Sequence, residues 1–549
     1  MISKNIIKEL ILSNRTFILE SVPEIIPRAA ADVTAPGKTV ILYGIRRSGK
    51  TFILYDIFRG NRETALYLDF EDDRLAGFTA ADFATVQDAF LELRPDAAGR
   101  IVYLFDEIQH VPGWERFCRR VTERENAGVY VTGSSSKLMP LEVDTAIRGR
   151  AWSVAVFPFS FSEFLRLRLG LRQGLGQGQE LRQELGLRLG LRQGQGLRQG
   201  QELGQEQGLR QASGEWQEIL YGTKKIETKR FFAEYAQWGG FPETALAAAP
   251  LDKTKLLREY LRAMFFRDLV ERYGMTNIPL FDALSDKLFS SFATRLSLTA
   301  FYRQYKDLFP FSKDLLFQYF HHFEESMLIF AVRKFSESSY KRSRNPVKIY
   351  PADTGLCRRV ASEDAGRILE NIVFIELARR GGEVFYFEEK QECDFVVKEE
   401  EGEMQDEGLV EGDGQRLWLE QMLGEGLGQG LGERTGEGTG EEESTGEGEG
   451  QKLGLEQMLG EGQGLGERQR QGLELGKGER QGTRFAAFQV CRELTEENRA
   501  RETAGLTAAC RRLEVTEGTI LTDDQEWEED AEGIKINVRP VWRWLLGAA

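Results

Sequence analysis

"GKTVILYGIRRSGKTFILYDIF" (residues 37–58) decides how the first part of this 549-residue chain folds. Val40 to Tyr43 is a short continuous apolar run, the pattern of a strand buried on both faces. It leads into Gly44-Ile45-Arg46-Arg47-Ser48-Gly49-Lys50-Thr51, a full match to the spacing GxxxxGK[ST]. Gly44 and Gly49 let the backbone curl so that successive N–H groups face an anion. Lys50 is then placed to reach β- and γ-phosphates, and the Thr51 hydroxyl to ligate magnesium. A helix predicted from about Lys50, with Phe52 in its first turn, aims its positive end at the same anion. The pattern predicts a site for ATP and Mg2+.

A partner strand is expected about fifty residues on, in "GRIVYLFDEIQHVPGW" (99–114). Ile101 to Phe105 is again a buried run and ends in Asp106-Glu107. At the C-terminal end of a strand beside a phosphate loop, the Asp holds magnesium and the Glu polarises the attacking water. "ALYLDFEDDRL" (65–75) and "GVYVTGSSSKL" (128–138) supply two more strands, the second with a polar exit at Thr132 and Ser134 suited to sensing a γ-phosphate. Strands alternating with helices imply a doubly wound parallel sheet with its ligand at the strands' C-terminal ends. "AIRGRAWSVAVFPFSFSEFL" (146–165) offers Arg148 and Arg150, each either an arginine finger or sensor, or a surface ion pair.

These segments together resemble a family of prokaryotic AAA+ ATPases that carry a C-terminal domain of uncharacterised function. The resemblance continues through "YAQWGGFPE" (235–243), "YLRAMFFRDLVERYGMTN" (260–277), "KIYPADTGL" (348–356), "LENIVFIELARRGGEVFYF" (369–387) and "ECDFVV" (392–397). It implies ATP binding, ATP hydrolysis and a nucleic-acid connection, and makes the helical stretch 215–280 a lid beside the nucleotide.

Residues 281–345 resemble a winged helix, with Ser297 and Ser312 as caps of successive helices and "LIFAVRKFS" as the wing's first strand. The basic stretch "RKFSESSYKRSRNPVK" (333–348) is suited to a nucleic-acid backbone, and DNA binding and protein packing stay equally open here. Farther on, Glu392 and Asp394 stand two apart and so face the same side of a strand. "TRFAAFQVCREL" (483–494) is expected to pair with 393–398 as the other arm of a hairpin. In restriction-endonuclease-like sites one Asp ligates metal and the next strand supplies Glu-x-Lys. Here that slot reads Gln489-Val490-Cys491, leaving Asp394, Gln489 and Glu370 as a degenerate set without its lysine. An inactive nuclease-like fold is favoured here over an active nuclease. For the whole chain the leading reading is an ATP-driven switch that couples nucleotide state to the C-terminal domains, with an ATP-regulated nuclease or a nucleotide-dependent scaffold as the alternatives.

Between the hairpin arms lies a Gly/Glu-rich tract, 399–482, with 22 acidic and 7 basic residues, a net of −15. That equals the charge of the whole chain, so the low pI of 5.1 describes this segment and not the folded domains. A second biased tract runs through 169–214; both read as disordered insertions. Five cysteines lack CxxC spacing and only three histidines occur, which argues against a zinc site. No apolar run reaches the roughly 18–20 residues of a membrane span. A soluble, cytoplasmic protein is expected, with homo-oligomerisation open.

The expected architecture is therefore α/β. An N-terminal helical segment (1–35) precedes a P-loop NTPase core (36–168), the first insertion (169–214) and the helical lid (215–280). The winged-helix-like part (281–345) and a nuclease-like domain (346–398 plus 483–549), split by the second insertion (399–482), complete it.

Overall fold

The computed structural model describes residues 2–133, 149–170, 224–336, 345–359, 364–400 and 483–547, with Ile219 and Gly222. Nearly all of both biased tracts, Ser134, Arg148 and residues 337–344 of the basic stretch fall outside the described residues.

Five strands form the first sheet: β1 (Thr39–Tyr43), β2 (Ala65–Asp69), β3 (Val102–Asp106), β4 (Gly128–Thr132) and β5 (Ala151–Ala155). Their order is β2-β3-β4-β1-β5, and every pairing is parallel. All five residues of β1 are buried. Val40 and Leu42 enter one apolar cluster while Ile41 and Tyr43 enter another. Alternate side chains of a strand face opposite ways, so apolar residues at every position require cover on both sheet faces. The helices Lys50–Gly60, Phe83–Leu93 and Trp114–Glu125 each contribute a buried stripe to that cover.

Helices then dominate as far as Glu325. Lys225–Trp238, Pro242–Leu246 and Pro250–Ala263 run into a π-helical turn at Met264–Glu271. Ile278–Ser290, Leu298–Tyr305 and Lys313–Glu325 follow. Ser297 accepts a hydrogen bond from Ala300 N and Ser312 from Leu315 N, so both serines cap as their positions predict.

The remaining strands are β6 (Arg295–Leu296), β7 (Ile329–Lys334), β8 (Val347–Pro351), β9 (Glu383–Glu388), β10 (Glu392–Glu400), β11 (Thr483–Val490), β12 (Glu517–Thr522), β13 (Trp527–Ala531) and β14 (Ile534–Pro540). They make one mixed sheet of order β13-β14-β12-β11-β10-β9-β7-β8-β6. β10 and β11 pair antiparallel from Phe395↔Phe488 to Glu400↔Thr483, which is the hairpin expected across the acidic tract. Closing a loop costs free energy only as the logarithm of its length, so the pairing survives a long insertion. The β7–β8 pair is not a separate wing. β7 joins β9 in parallel at Arg333↔Phe385 and Lys334↔Tyr386, fusing the two into a single sheet.

A register shift between Cys393 and Val396 interrupts the β9–β10 ladder. Cys393 and Val396 face one apolar cluster while Phe395 and Val397 face the other. A bulge therefore puts Asp394 and Phe395 on the same side, toward the helix Ala365–Arg379.

Candidate functional site

The phosphate loop joins β1 to the helix Lys50–Gly60. Gly44 lies with a φ of 154°, and a Cβ there would meet Val156 O at 2.2 Å. Gly49 caps the helix in the left-handed region at φ 96°. Lys50 is buried, and its Nζ donates to Gly44 O at 3.0 Å and Ile45 O at 3.2 Å. Burial pushes the ammonium below its usual range, while the carboxylates of Glu107 and Asp106 pull it back. The Ser48 hydroxyl is buried without a hydrogen-bond partner. A curled loop, an ammonium resting on its own carbonyls and an unsatisfied hydroxyl fit an anion that would engage all three.

Asp106 ends β3, one strand removed from β1. Thr132 at the end of β4 and Tyr67 on β2 both donate to its carboxylate, and Thr51 hydrogen-bonds it as well. Burial raises its pKa, and Glu107 alongside adds to the rise. Two hard oxygen donors, Thr51 and Asp106, thus already touch, as a magnesium site needs. Glu107 takes a left-handed backbone at φ 50°, with its N–H on Thr132 Oγ1 at 3.2 Å. Gln109 Nε2 donates to the Glu107 carboxylate and fixes its direction. Asp69, at the end of β2, is pushed up to about 6 by burial and by the neighbouring carboxylates.

Arg150 does not join this group. Its carbonyl accepts from Thr39 N at 2.9 Å, and its guanidinium pairs with Glu123. Thr39 opens β1 and Gly44 follows its other end, so about five residues at ~3.3 Å each separate them, roughly 16 Å. Arg150 cannot reach a phosphate on its own chain's loop; parallel register with β1 puts it at the wrong end of the sheet. Phe52 is exposed, one residue into the helix beyond Thr51.

One arginine that the spacing did not single out supports the loop. Arg28 is buried and donates to Ser48 O at 3.0 Å, Phe157 O at 2.7 Å and Glu163 Oε1 at 2.7 Å. The two loop arginines reach the helical segment: Arg46 forks onto Asp268 at 3.0–3.2 Å, and Arg47 pairs with Glu243 at 3.2 Å.

The second centre lies on the C-terminal sheet. Glu370 on the helix Ala365–Arg379 and Asp394 on β10 converge as expected, and Gln489 of β11 accepts from Asp394 N at 3.2 Å. A lysine joins these carboxylates, from a strand that sequence reading did not connect. Lys348 Nζ of β8 lies 2.9 Å from Asp394 Oδ1, 3.0 Å from Glu392 Oε1 and 3.2 Å from Glu370 Oε1. Lys398, on β10, faces Glu383 at 3.5 Å instead. Glu376, on the same helix as Glu370, pairs with Arg379 and Arg380. Tyr350, two residues after Lys348 and so on the same face, donates to Glu370 at 2.7 Å. That Lys-x-Tyr alternation was the available signal. Burial and the Asp394 charge push the Glu370 carboxyl up to about 7, although Lys348 opposes the shift.

A buried joint links the two regions. Asp353 accepts from Gly240 N at 2.7 Å and Gly355 N at 2.8 Å, while Phe159 N donates to Gly240 O at 2.8 Å. Gly240 thus sits between the exit of β5 and the loop after β8.

Residues 36–165 match the family model described as an AAA domain, and residues 229–366 match a domain of unknown function (DUF8612). The second match runs through the helical segment and on to Lys348, Tyr350 and Asp353. An uncharacterized protein of Methanocaldococcus jannaschii is 29% identical over 413 residues, covering 74% of this chain and 82% of that protein. An uncharacterized protein of Haemophilus influenzae is 23% identical over 330 residues, 58% of this chain and 67% of its own. The solved structure of C. elegans PCH-2 aligns with 30% of this chain and 46% of its own at 16% identity. Its TM-score of 0.18 is too low to argue from. Among the described residues no helix is long and apolar enough to cross a membrane. The chain carries an AAA P-loop ATPase domain followed by a domain of unknown function, and is homologous to uncharacterized archaeal and bacterial proteins.

Proposed function

We propose that the chain is a magnesium-dependent ATP hydrolase that passes its nucleotide state to the C-terminal sheet. The observation that carries this reading is the meeting of Lys50, Thr51, Asp106 and Glu107 at the C-terminal ends of β1 and β3. The loop's N–H groups and Lys50 hold the triphosphate, and Thr51 and Asp106 would hold magnesium. Bound there, the ion neutralises charge that develops on the phosphate oxygens. Glu107, fixed by Gln109, orients a water in line with the γ-phosphorus and takes up its proton. The water oxygen bonds to phosphorus as the bond to the bridging oxygen breaks, and ADP leaves with that electron pair. Lys50→Ala is expected to abolish phosphate release in the presence of magnesium; turnover at the wild-type rate would sink the assignment.

A second reading, an ATP-regulated nuclease, is favoured by one observation: Lys348 brings to Asp394 and Glu370 the ammonium that Cys491 lacks. Against it, Lys348 is only 3% exposed and Asp394 7%, which leaves a phosphodiester little access to either. Plasmid incubated with manganese separates the two, with Asp394→Ala as control: cleavage lost in the variant supports the nuclease, and no cleavage by either protein rejects it. DNA binding through the region 281–345 and homo-oligomerisation belong to the same proposal and are read by gel shift and by light scattering with and without ATP.

A further inference from the structure

Arg46 and Asp268 are 222 residues apart and form a two-pronged pair between the phosphate loop and the π-helical turn Met264–Glu271. Arg46 is the third residue of the loop. Most side chains at such positions point away from the nucleotide, since the backbone does the binding. Arg46 reaches the helical segment, where Asp268 holds its guanidinium at 3.0–3.2 Å. Despite desolvation, Asp268, then Glu107 and Glu71, raise the basicity of its guanidinium. Arg46 in turn lowers that of the Lys50 ammonium, on which burial acts most strongly. The guanidinium is thus within electrostatic reach of both Lys50 and Glu107, two groups that the ATPase reading sets beside the γ-phosphate. The carboxylate holding it there belongs to another part of the chain.

We propose that Arg46 is the arginine that stabilises the γ-phosphate, supplied by the phosphate loop of the same chain, and that Asp268 latches it until ATP arrives. The inference rests on the ATPase reading. A γ-phosphate carries more negative charge than one carboxylate, and its oxygens match the guanidinium fork equally well. ATP therefore competes Arg46 away from Asp268, whereas ADP, lacking that group, does not. The exchange has a mechanical consequence. Asp268 shares its turn with Phe265, whose ring meets Phe281 at 5.2 Å, Phe289 at 6.0 Å and Phe323 at 6.1 Å. Losing its partner leaves Asp268 half-buried and unneutralised on that turn, which favours movement of the turn against the two helices that carry those rings, Ile278–Ser290 and Lys313–Glu325. The catalytic arginine and the transmitter of nucleotide state are then one side chain, and hydrolysis needs no arginine from a second copy.

The test measures ATP turnover and, separately, the affinities for ATP and ADP on the full chain, for wild type, Arg46→Ala, Arg46→Lys and Asp268→Asn. Arg46→Ala should lower kcat by about 10³-fold, the scale of a γ-phosphate arginine. It should also erase any preference for ATP over ADP, with ADP affinity held within about threefold, as for a contact specific to the γ-phosphate. Arg46→Lys keeps the charge without the fork and should fall between. Asp268→Asn should tighten ATP relative to ADP, because the competitor is gone. An Arg46→Ala chain that hydrolyses ATP at the wild-type rate overturns the inference. So does one that loses ATP and ADP affinity equally, which marks a loop that has merely misfolded. Wild-type chain that binds but never hydrolyses ATP would defeat the ATPase reading alone; the ATP-to-ADP preference of Arg46→Ala still decides the latch.

Discussion

Lys348 and Asp394 stand 46 residues apart and meet at 2.9 Å between Nζ and Oδ1, both buried. Two further carboxylates, Glu370 and Glu392, close on the same ammonium. The oxygens stand 2.9–3.2 Å from the nitrogen. That is the spacing of charge-assisted hydrogen bonds. The lysine also ties β8, which runs directly into the Asp353 joint, to the strand and helix of the C-terminal centre.

Removing that ammonium should be costly. Lys348→Met leaves Asp394 and Glu370 buried without a counter-charge, and breaking a buried pair from one side costs about 3–5 kcal/mol. Urea unfolding followed by tryptophan fluorescence should report a loss of this size. The double variant Lys348→Met/Asp394→Asn should recover part of it, and a single variant as stable as wild type would mean that the cluster holds nothing together.

Glu370 gives the centre a pH dependence. Its carboxyl is pushed from 4.5 to about 7 in the folded chain. Between those values the folded state keeps a proton that the unfolded state has released, so stability falls as pH rises through the window. One proton's share is at most about 1.4 kcal/mol per pH unit. Asp353 and Glu324, also pushed up to about 7 by burial, act in the same window. Glu370→Gln should therefore flatten, not abolish, the decline measured by urea unfolding from pH 4.5 to 7.5, and an unchanged slope would refute the assignment.

At the nucleotide site, Glu107→Gln keeps the shape of the side chain but cannot take a proton from water. Turnover should drop by about 10²–10⁴-fold, the usual worth of a positioned base. Binding of a fluorescent ATP analogue should stay within a few-fold of wild type. A variant that still turns over normally would move the role of base elsewhere.

Gly240 is the tight point of the joint between the two regions. A Cβ there would lie 2.2 Å from Phe159 O. Gly240→Ala must push the Phe159 backbone aside, at a cost of about 1–3 kcal/mol. A lowered thermal midpoint, together with a weaker response of C-terminal tryptophan fluorescence to ATP, is expected. An unaltered response would show that the signal does not cross this joint.

The nucleotide half was legible because its chemistry is local. One loop of eight residues fixes Gly44, Gly49, Lys50 and Thr51 relative to one another, and an apolar run ending in Asp106-Glu107 carries its own strand signal. The hairpin across the acidic tract was legible for a similar reason, since alternation marks each arm and the tract between them costs little to close. What the sequence could not decide was which distant charges meet. Arg150 looked close to the phosphates until parallel pairing with β1 put it at the far end of the sheet. Arg28, Asp268, Asp353 and above all Lys348 carry no spacing that names their partners, because an ion pair depends on where two backbones are brought together in space. Lys348 reads as the last charge of a basic stretch; only the fusion of β7 with β9 and the bulge at Asp394 turn it inward as the cation of a buried centre.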